Sequence, residues 1–165
     1  MKKIVIAGGC FWGVEEYYRR LKGVESTKVG YAQGHLDHPT YEDVKTGKTQ
    51  HAEVAEITYD PNVIDLEKIL EHMFRFIDPT LLNRQGHDIG TQYRVGVYPE
   101  TQEDYNRVKA YYELRQKEYS KPLVIELQTL KKFYDAETYH QIYLVKNPMG
   151  YCHVNMNLIR PEERK

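Results

Sequence analysis

Apolar positions along the chain change their period from one segment to the next, and the period indicates the element. Lys3 to Ala7 is rich in β-formers and is closed by Gly8-Gly9, which predicts a first strand. Val14, Tyr17, Tyr18 and Leu21 recur at helical spacing until Gly23 interrupts them, which predicts a helix. Val24 to Tyr31 and His51 to Tyr59 read as strands, separated by a polar loop over Ala32 to Gln50. Leu66, Ile69, Leu70, Met73, Phe74 and Ile77 share one helical face. After a loop from Pro79 to Gly90, Thr91 to Tyr98 reads as a strand. Thr101 with Asp104 resembles a capping box opening a long polar helix through Tyr119. Leu123 to Leu130 reads as one more strand. Glu137 to Val145 predicts a last helix, ended by Asn147-Pro148, before an irregular tail over residues 147–165.

The order βαββαβ, then αβα, predicts an α+β fold, a ferredoxin-like two-layer α/β sandwich with an extra strand and extra helices. No repeat and no Pro/Gly/Ser-rich linker divides the 165 residues, so one catalytic domain over 1–165 is expected. Lys plus Arg total 23 against 24 Asp plus Glu, a net charge of -1. That balance offers nothing to draw nucleic acid or an anionic membrane. The longest nearly apolar stretch, Ile4 to Val14, falls short of the roughly 20 residues that span a bilayer. Ile4 to Ala7 is also shorter than the apolar run of about 7 to 15 residues in a signal peptide, so the expected compartment is the reducing cytoplasm. Cys10 and Cys152 are too few for a disulfide scaffold, and in that compartment a cysteine pair points to catalysis or redox chemistry.

Gly8-Gly9-Cys10-Phe11-Trp12-Gly13 lies where the first strand turns into the first helix. Free backbone N–H groups and the helix dipole favour a thiolate at that position. An ordinary thiol is only about 3% ionised at pH 7, so such a placement raises the nucleophile concentration. A phosphate loop is excluded, because Gly13 is followed by Val14-Glu15 rather than Lys-Ser/Thr. His51-Ala52-Glu53 has the His-x-Glu of zinc deaminases without their Pro-Cys-x-x-Cys, and the seven histidines show no ligand spacing. Neither a metal nor a bound cofactor is expected. Tyr41 and Tyr93 stand out among 15 tyrosines, because each lies in or beside a loop dense in polar residues. Glu53 and Asp88, by composition alone, are salt-bridge or turn carboxylates.

Together these motifs resemble the methionine sulfoxide reductase A family. The resemblance is carried by Gly9-Cys10-Phe11-Trp12-Gly13, Gly30-Tyr31, Pro39-Thr40-Tyr41, His51-Ala52-Glu53, the segment Asn83 to Arg94, and Asn147-Pro148 with Gly150-Tyr151-Cys152. The motifs keep the family's order across nearly the whole chain. The resemblance implies a ferredoxin-like fold and reduction of the S epimer of methionine sulfoxide, free or in proteins. It implies that Cys10 attacks the sulfoxide sulfur, that Phe11 and Trp12 enclose its methyl group, and that Glu53 protonates the oxygen. Tyr41 and Tyr93 would hydrogen-bond that oxygen, and Asp88 would shape the polar side of the pocket. Cys152 would resolve the Cys10 sulfenic acid to a disulfide, which thioredoxin or another external dithiol reduces.

This sequence departs from many family members at Gln33 and Gln50, where glycine is common, and at Met149; these departures are expected to flank the site. It also lacks the further tail cysteine that some members carry. Three other readings fit parts of the pattern. They are a thiol peroxidase or redox sensor at Cys10, a Cys-His hydrolase with His51 as base, and a binding module built on Trp12 and the tyrosines.

Overall fold

The computed structural model describes residues 1–165. The chain runs through β1 (Lys2–Gly8), α1 (Phe11–Arg19), β2 (Val24–Ala32), a short α2 (Tyr41–Lys45), β3 (Ala52–Tyr59) and α3 (Leu66–Phe76). A two-residue hairpin follows, β4 (Arg84–Gln85) and β5 (Asp88–Ile89), then β6 (Val95–Tyr98) and α4 (Gln102–Gln116). The last elements are β7 (Glu126–Leu127), β8 (Phe133–Asp135) and α5 (Tyr143–Lys146). Six strands form one sheet in the order β7-β6-β1-β3-β2-β8. All its pairs are antiparallel except β6 with β7, so the fold is α+β with a mixed sheet.

Alternation along the strands sorts the apolar side chains onto two faces. Ile4, Ile6, Val29, Tyr31, Ala55, Ile57, Val95 and Val97 point into the main core, where they meet Val14, Tyr17 and Tyr18 of α1, the apolar face of α3, and Val108 of α4. Val5, Ala7, Ala32, Ala52, Val54 and Tyr98 form a second, smaller cluster on the other face, covered by Leu130 and Phe133. The central strands are therefore buried on both sides, which places the β1–α1 turn and the start of β3 in dry surroundings. The C-terminal tail is strapped to the helices. Arg75 of α3 donates to Leu158 O at 3.1 Å and pairs with Glu163, and Lys165 N–H donates to Arg20 O at 3.0 Å.

The long elements follow the periodicity, and the departures have local causes. Thr101 accepts the Asp104 N–H, but the Asp104 carboxylate pairs with Lys2 at 2.9 Å instead of returning to the cap, so half of the expected box forms. Only Glu126–Leu127 of the expected strand from Leu123 to Leu130 pairs with the sheet; the chain then leaves it to cover the second face. The expected strand from Thr91 opens as a 3-10 turn over Thr91–Tyr93 and becomes extended only at Val95. The expected helix from Glu137 to Val145 is broken at Ile142, which takes a left-handed conformation. Gln33 and Gln50, standing where glycine is common, have φ of +72° and +63°. Each holds a conformation that glycine adopts without strain. The Gln33 amide offsets that cost by bonding Gln128, Thr129 and Lys131 in the segment that covers the sheet.

Gly30 of β2 is the point at which β8 closes on the sheet. A β-carbon there would lie 2.4 Å from Tyr134 O and 2.5 Å from the Phe133 ring. Gly30→Ala is expected to push β8 off β2 and cost about 1–3 kcal/mol. Urea unfolding checks this, and a midpoint equal to the wild type would show that β8 does not depend on the contact.

Candidate active site

Helix α1 begins without a side-chain cap. Cys10 occupies the N-cap position and its thiol makes no capping hydrogen bond. Instead the Phe11 N–H, one of the donors a helix start leaves unpaired, donates to Glu53 Oε1 at 3.1 Å. Glu53 is the second residue of β3 and is 2% exposed, so its carboxyl reaches the helix terminus from beneath. Cys10, Phe11, Trp12, Tyr41, Glu53, Asp88 and Tyr93 line one cavity of about 90 Å³, together with Tyr151. The cavity has room for the end of one unbranched side chain. A larger open hollow between α3 and α4 is lined by charged pairs such as Lys68–Glu71 and contains no nucleophile.

Each loop that supplies a wall is held by a specific polar group. Tyr41 opens α2, whose Thr40 and Asp43 form a full capping box; its N–H donates to Glu137 Oε2 at 2.9 Å, while Glu137 Oε1 accepts from the Tyr31 hydroxyl at 2.8 Å. Asp88 lies on β5. The buried Gln85 amide anchors that hairpin to the Asp78 backbone at 2.9 and 2.8 Å. Tyr93 ends the 3-10 turn, and the Arg94 guanidinium locks the turn through Thr91 O, Gln50 O and Glu126. Trp12 is stacked on Tyr143 with ring centres 3.7 Å apart, and its indole N–H donates to His140 Nδ1 at 2.9 Å.

Cys152 lies outside the cavity. Its thiol donates to Val154 O at 3.3 Å, and a β-carbon on Gly13 would come within 3.0 Å of its sulfur. Gly13 stands one helical turn beyond Cys10, so the second thiol rests against the same helix. Both cysteines are free thiols. Gln33, Gln50 and Met149 do not line the cavity, and Met149 is 97% exposed.

Electrostatics correct one expectation and sharpen another. The helix start does not hold Cys10 as a thiolate. Burial pushes its pKa well up and the nearby Glu53 carboxylate adds to the rise, against the Trp12 backbone N–H, which lowers it. Glu53 is pushed from 4.5 to about 8 by burial, opposed by the Phe11 N–H and assisted by the charge of Asp88. A carboxyl in this setting keeps its proton through neutral pH. Burial likewise lifts Tyr41 to about 12, so its hydroxyl remains a donor. His51 is no base for Cys10, because Gly34 N–H donates to its Nδ1 at 3.0 Å and its Nε2–H is directed at Leu36 O at 2.7 Å.

The sequence profile described as peptide methionine sulfoxide reductase matches residues 2–165. The chain belongs to the peptide methionine sulfoxide reductase family. It is 54% identical over 157 residues to a Peptide methionine sulfoxide reductase MsrA of Clostridium botulinum (strain Okra / Type B1), covering 95% of this chain and 100% of that protein. Among solved structures, Mxr1 from Saccharomyces cerevisiae in reduced form has a TM-score of 0.88 at 40% identity, covering 93% of this chain and 91% of that one. The same yeast protein scores 0.69 in an unusual oxidized form, at 38% identity with coverage of 93% and 86%. In complex with Trx2 it scores 0.62, at 28% identity with coverage of 86% and 84%. Of the three yeast states, the reduced one is the most similar, in keeping with the free thiols here.

Seven of the residues singled out in the sequence line one cavity, and Cys152 stands outside it. Sequence reasoning missed Tyr151, whose hydroxyl donates to Asp88 Oδ2 at 2.9 Å, and the pair His140 and Tyr143 that holds Trp12. Tyr151 stands beside Cys152 within Gly150-Tyr151-Cys152, which is the available signal; His140 and Tyr143 lie in a segment whose helical period is false. His140 is also 1% exposed with Nε2 unpartnered.

The raised pKa of Glu53 has a consequence for stability. Between 4.5 and about 8 the folded state keeps a proton that the unfolded state releases. Stability contributed by this group is therefore fully present below 4.5, is lost as pH rises towards 8, and is level beyond it. Relative to wild type, Glu53→Gln is expected to gain stability steadily across that window. Urea unfolding at a series of pH values tests it, and parallel curves for the two proteins would rule out the protonated carboxyl.

Proposed function

We propose that this chain reduces the S epimer of methionine sulfoxide, in proteins, peptides or free, with Cys10 as nucleophile and Glu53 as acid. The observation that carries the reading is a thiol and a carboxyl that is neutral up to about pH 8, enclosed in one small aromatic cavity. Phe11 and Trp12 receive the methyl group, and the Tyr41 and Tyr93 hydroxyls donate to the sulfoxide oxygen, with Asp88 on the polar side. A sulfoxide oxygen leaves sulfur only once protonated, so the acid is essential. Cys10 Sγ bonds to the sulfoxide sulfur as Glu53 gives its proton to the oxygen. The thiol proton returns to Glu53, the oxygen passes to Cys10, and methionine leaves. The sum is Cys–SH plus sulfoxide giving Cys–SOH plus methionine, with no net proton consumed.

The Cys152 thiol then condenses with the sulfenic acid, forming a disulfide and releasing water. A dithiol such as thioredoxin restores both thiols by exchange. Support for that partner comes from the related yeast Mxr1, whose structure is known in complex with Trx2. No helix of the chain is long and apolar enough to cross a membrane. We infer a cytoplasmic location from the cysteine pair, whose proposed thiol cycle suits a reducing compartment. Residues 1–165 are one catalytic domain, with 147–165 as the tail that carries the recycling cysteine. We also infer a ferredoxin-like α/β sandwich, supported by the order β6-β1-β3-β2 within the sheet and by helices α1 and α3 following β1 and β3.

Incubation with a dithiol and resolved epimers is expected to yield methionine from the S form only; no turnover of that form would overturn the function. Cys152→Ser is expected to release about one methionine per enzyme and then stop cycling with thioredoxin. Glu53→Gln is expected to slow the first turnover by about 10²–10⁴-fold, and a rate near wild type removes Glu53 from the acid's role.

A further inference from the structure

Ile142 has φ of +45° and ψ of +43°. This left-handed conformation is strongly disfavoured for a β-branched side chain, so something in the surroundings must impose it. Two anchors do so. On one side, the neighbouring Gln141 is held to β2: its amide oxygen accepts the Val29 N–H at 2.9 Å, and its amide nitrogen donates to Val29 O at 2.9 Å and Ala136 O at 3.0 Å. On the other, the Ile142 N–H donates to Glu15 Oε1 at 2.8 Å. Glu15 is 1% exposed, and its second oxygen accepts from the Thr27 hydroxyl at 2.8 Å. The chain must turn sharply between these two anchors.

What the turn presents is functional. His140 precedes it and Tyr143 follows it, and these two rings meet Trp12 from two directions, one by hydrogen bond and one by stacking. Trp12 and Glu15 are three residues apart on α1 and so share a helical face. A single face of one helix therefore carries both the ring that is gripped and the carboxylate that shapes the grip.

We propose that Glu15 is a positioning residue: by holding the left-handed turn at Ile142 it sets His140 and Tyr143 against Trp12, and so fixes the wall of the pocket that contacts the substrate's methyl group. The substrate half of this statement rests on the function proposed above; the clamp on Trp12 does not.

Trp12 is the only tryptophan in the chain, so its fluorescence reports the clamp directly. Glu15→Ala is expected to shift the emission to longer wavelength, increase quenching by acrylamide, and raise KM for an S-sulfoxide peptide about tenfold, with kcat changed much less. Glu15→Gln keeps an acceptor for the Ile142 N–H and is expected to behave as the wild type. Glycine adopts positive φ without help, so Glu15→Ala with Ile142→Gly is expected to recover both emission and KM. Unchanged emission in a folded Glu15→Ala variant overturns the clamp, as does failure of Ile142→Gly to restore it. Where Glu15→Ala alone does not fold, the double variant decides: folded with wild-type emission supports the proposal, and any other result overturns it. Emission that behaves as described while KM does not move leaves the clamp standing and removes Trp12 from the substrate pocket.

Discussion

The hydrogen bond from the Phe11 N–H to Glu53 joins the first turn of α1 to β3, and the rest of the site is arranged around it. A helix start normally takes its acceptor from a nearby Ser, Thr, Asp or Asn. Here the acceptor comes from 42 residues away in sequence and from inside the sheet. The N-cap position is thereby free to carry Cys10, and the carboxyl is held next to the thiol. Two opposing fields act on that carboxyl. The helix terminus favours its charged form and burial favours the neutral one; burial, helped by the charge of Asp88, wins and lifts the carboxyl from 4.5 to about 8. An acid on a solvated strand would keep the bond but lose the proton at neutral pH.

Around this fixed point the walls outside α1 are held by polar side chains that bond to backbone. Gln85 ties the Asp88 hairpin to Asp78, Arg94 ties the turn carrying Tyr93, and Glu137 holds the N-terminus of α2 at Tyr41. These bonds satisfy backbone groups that lack sheet or helix partners. They also explain why such short elements keep a defined geometry: a two-residue hairpin or a five-residue helix has little stability of its own.

The same division explains what could be read in the sequence. β1 to β3 and α3 are legible because their apolar faces must meet a core, and that requirement writes a period into the residues. α2, β4, β5 and β8 are too short to write a period, and bonds to residues outside the element hold them: Glu137 for α2, Asp78 for the β4–β5 hairpin and β2 for β8. The interruption at Ile142 was invisible for the same reason: nothing in Glu137 to Val145 announces Glu15. At the site, Cys10 could be located from the Gly-Gly turn, but the sign of its pKa shift could not, because the helix dipole is visible in sequence and the depth of burial is not. Glu53 looked like a salt-bridge carboxylate. Its burial beneath a helix terminus lets it keep its proton at neutral pH, and only the family motifs single it out.

The tail that carries Cys152 is attached at α5 before it and at the Arg75 contacts with Leu158 and Glu163 after it, and on either side of the cysteine Tyr151 bonds Asp88 and the His153 ring bonds Gly8 O at 2.8 Å. Its thiol is parked against α1 one turn from Cys10, with a single weak hydrogen bond to hold it there. A doubly tethered group samples only a small volume, so its effective concentration at its target reaches the millimolar range or above, independent of how much protein is present. In the proposed cycle, capture of the sulfenic acid becomes a first-order event, paced by how often the bonds of Tyr151 to Asp88 and of His153 to Gly8 O release the residues on either side of Cys152. Dissolved thiols, which meet Cys10 only by diffusion, compete with it on unequal terms.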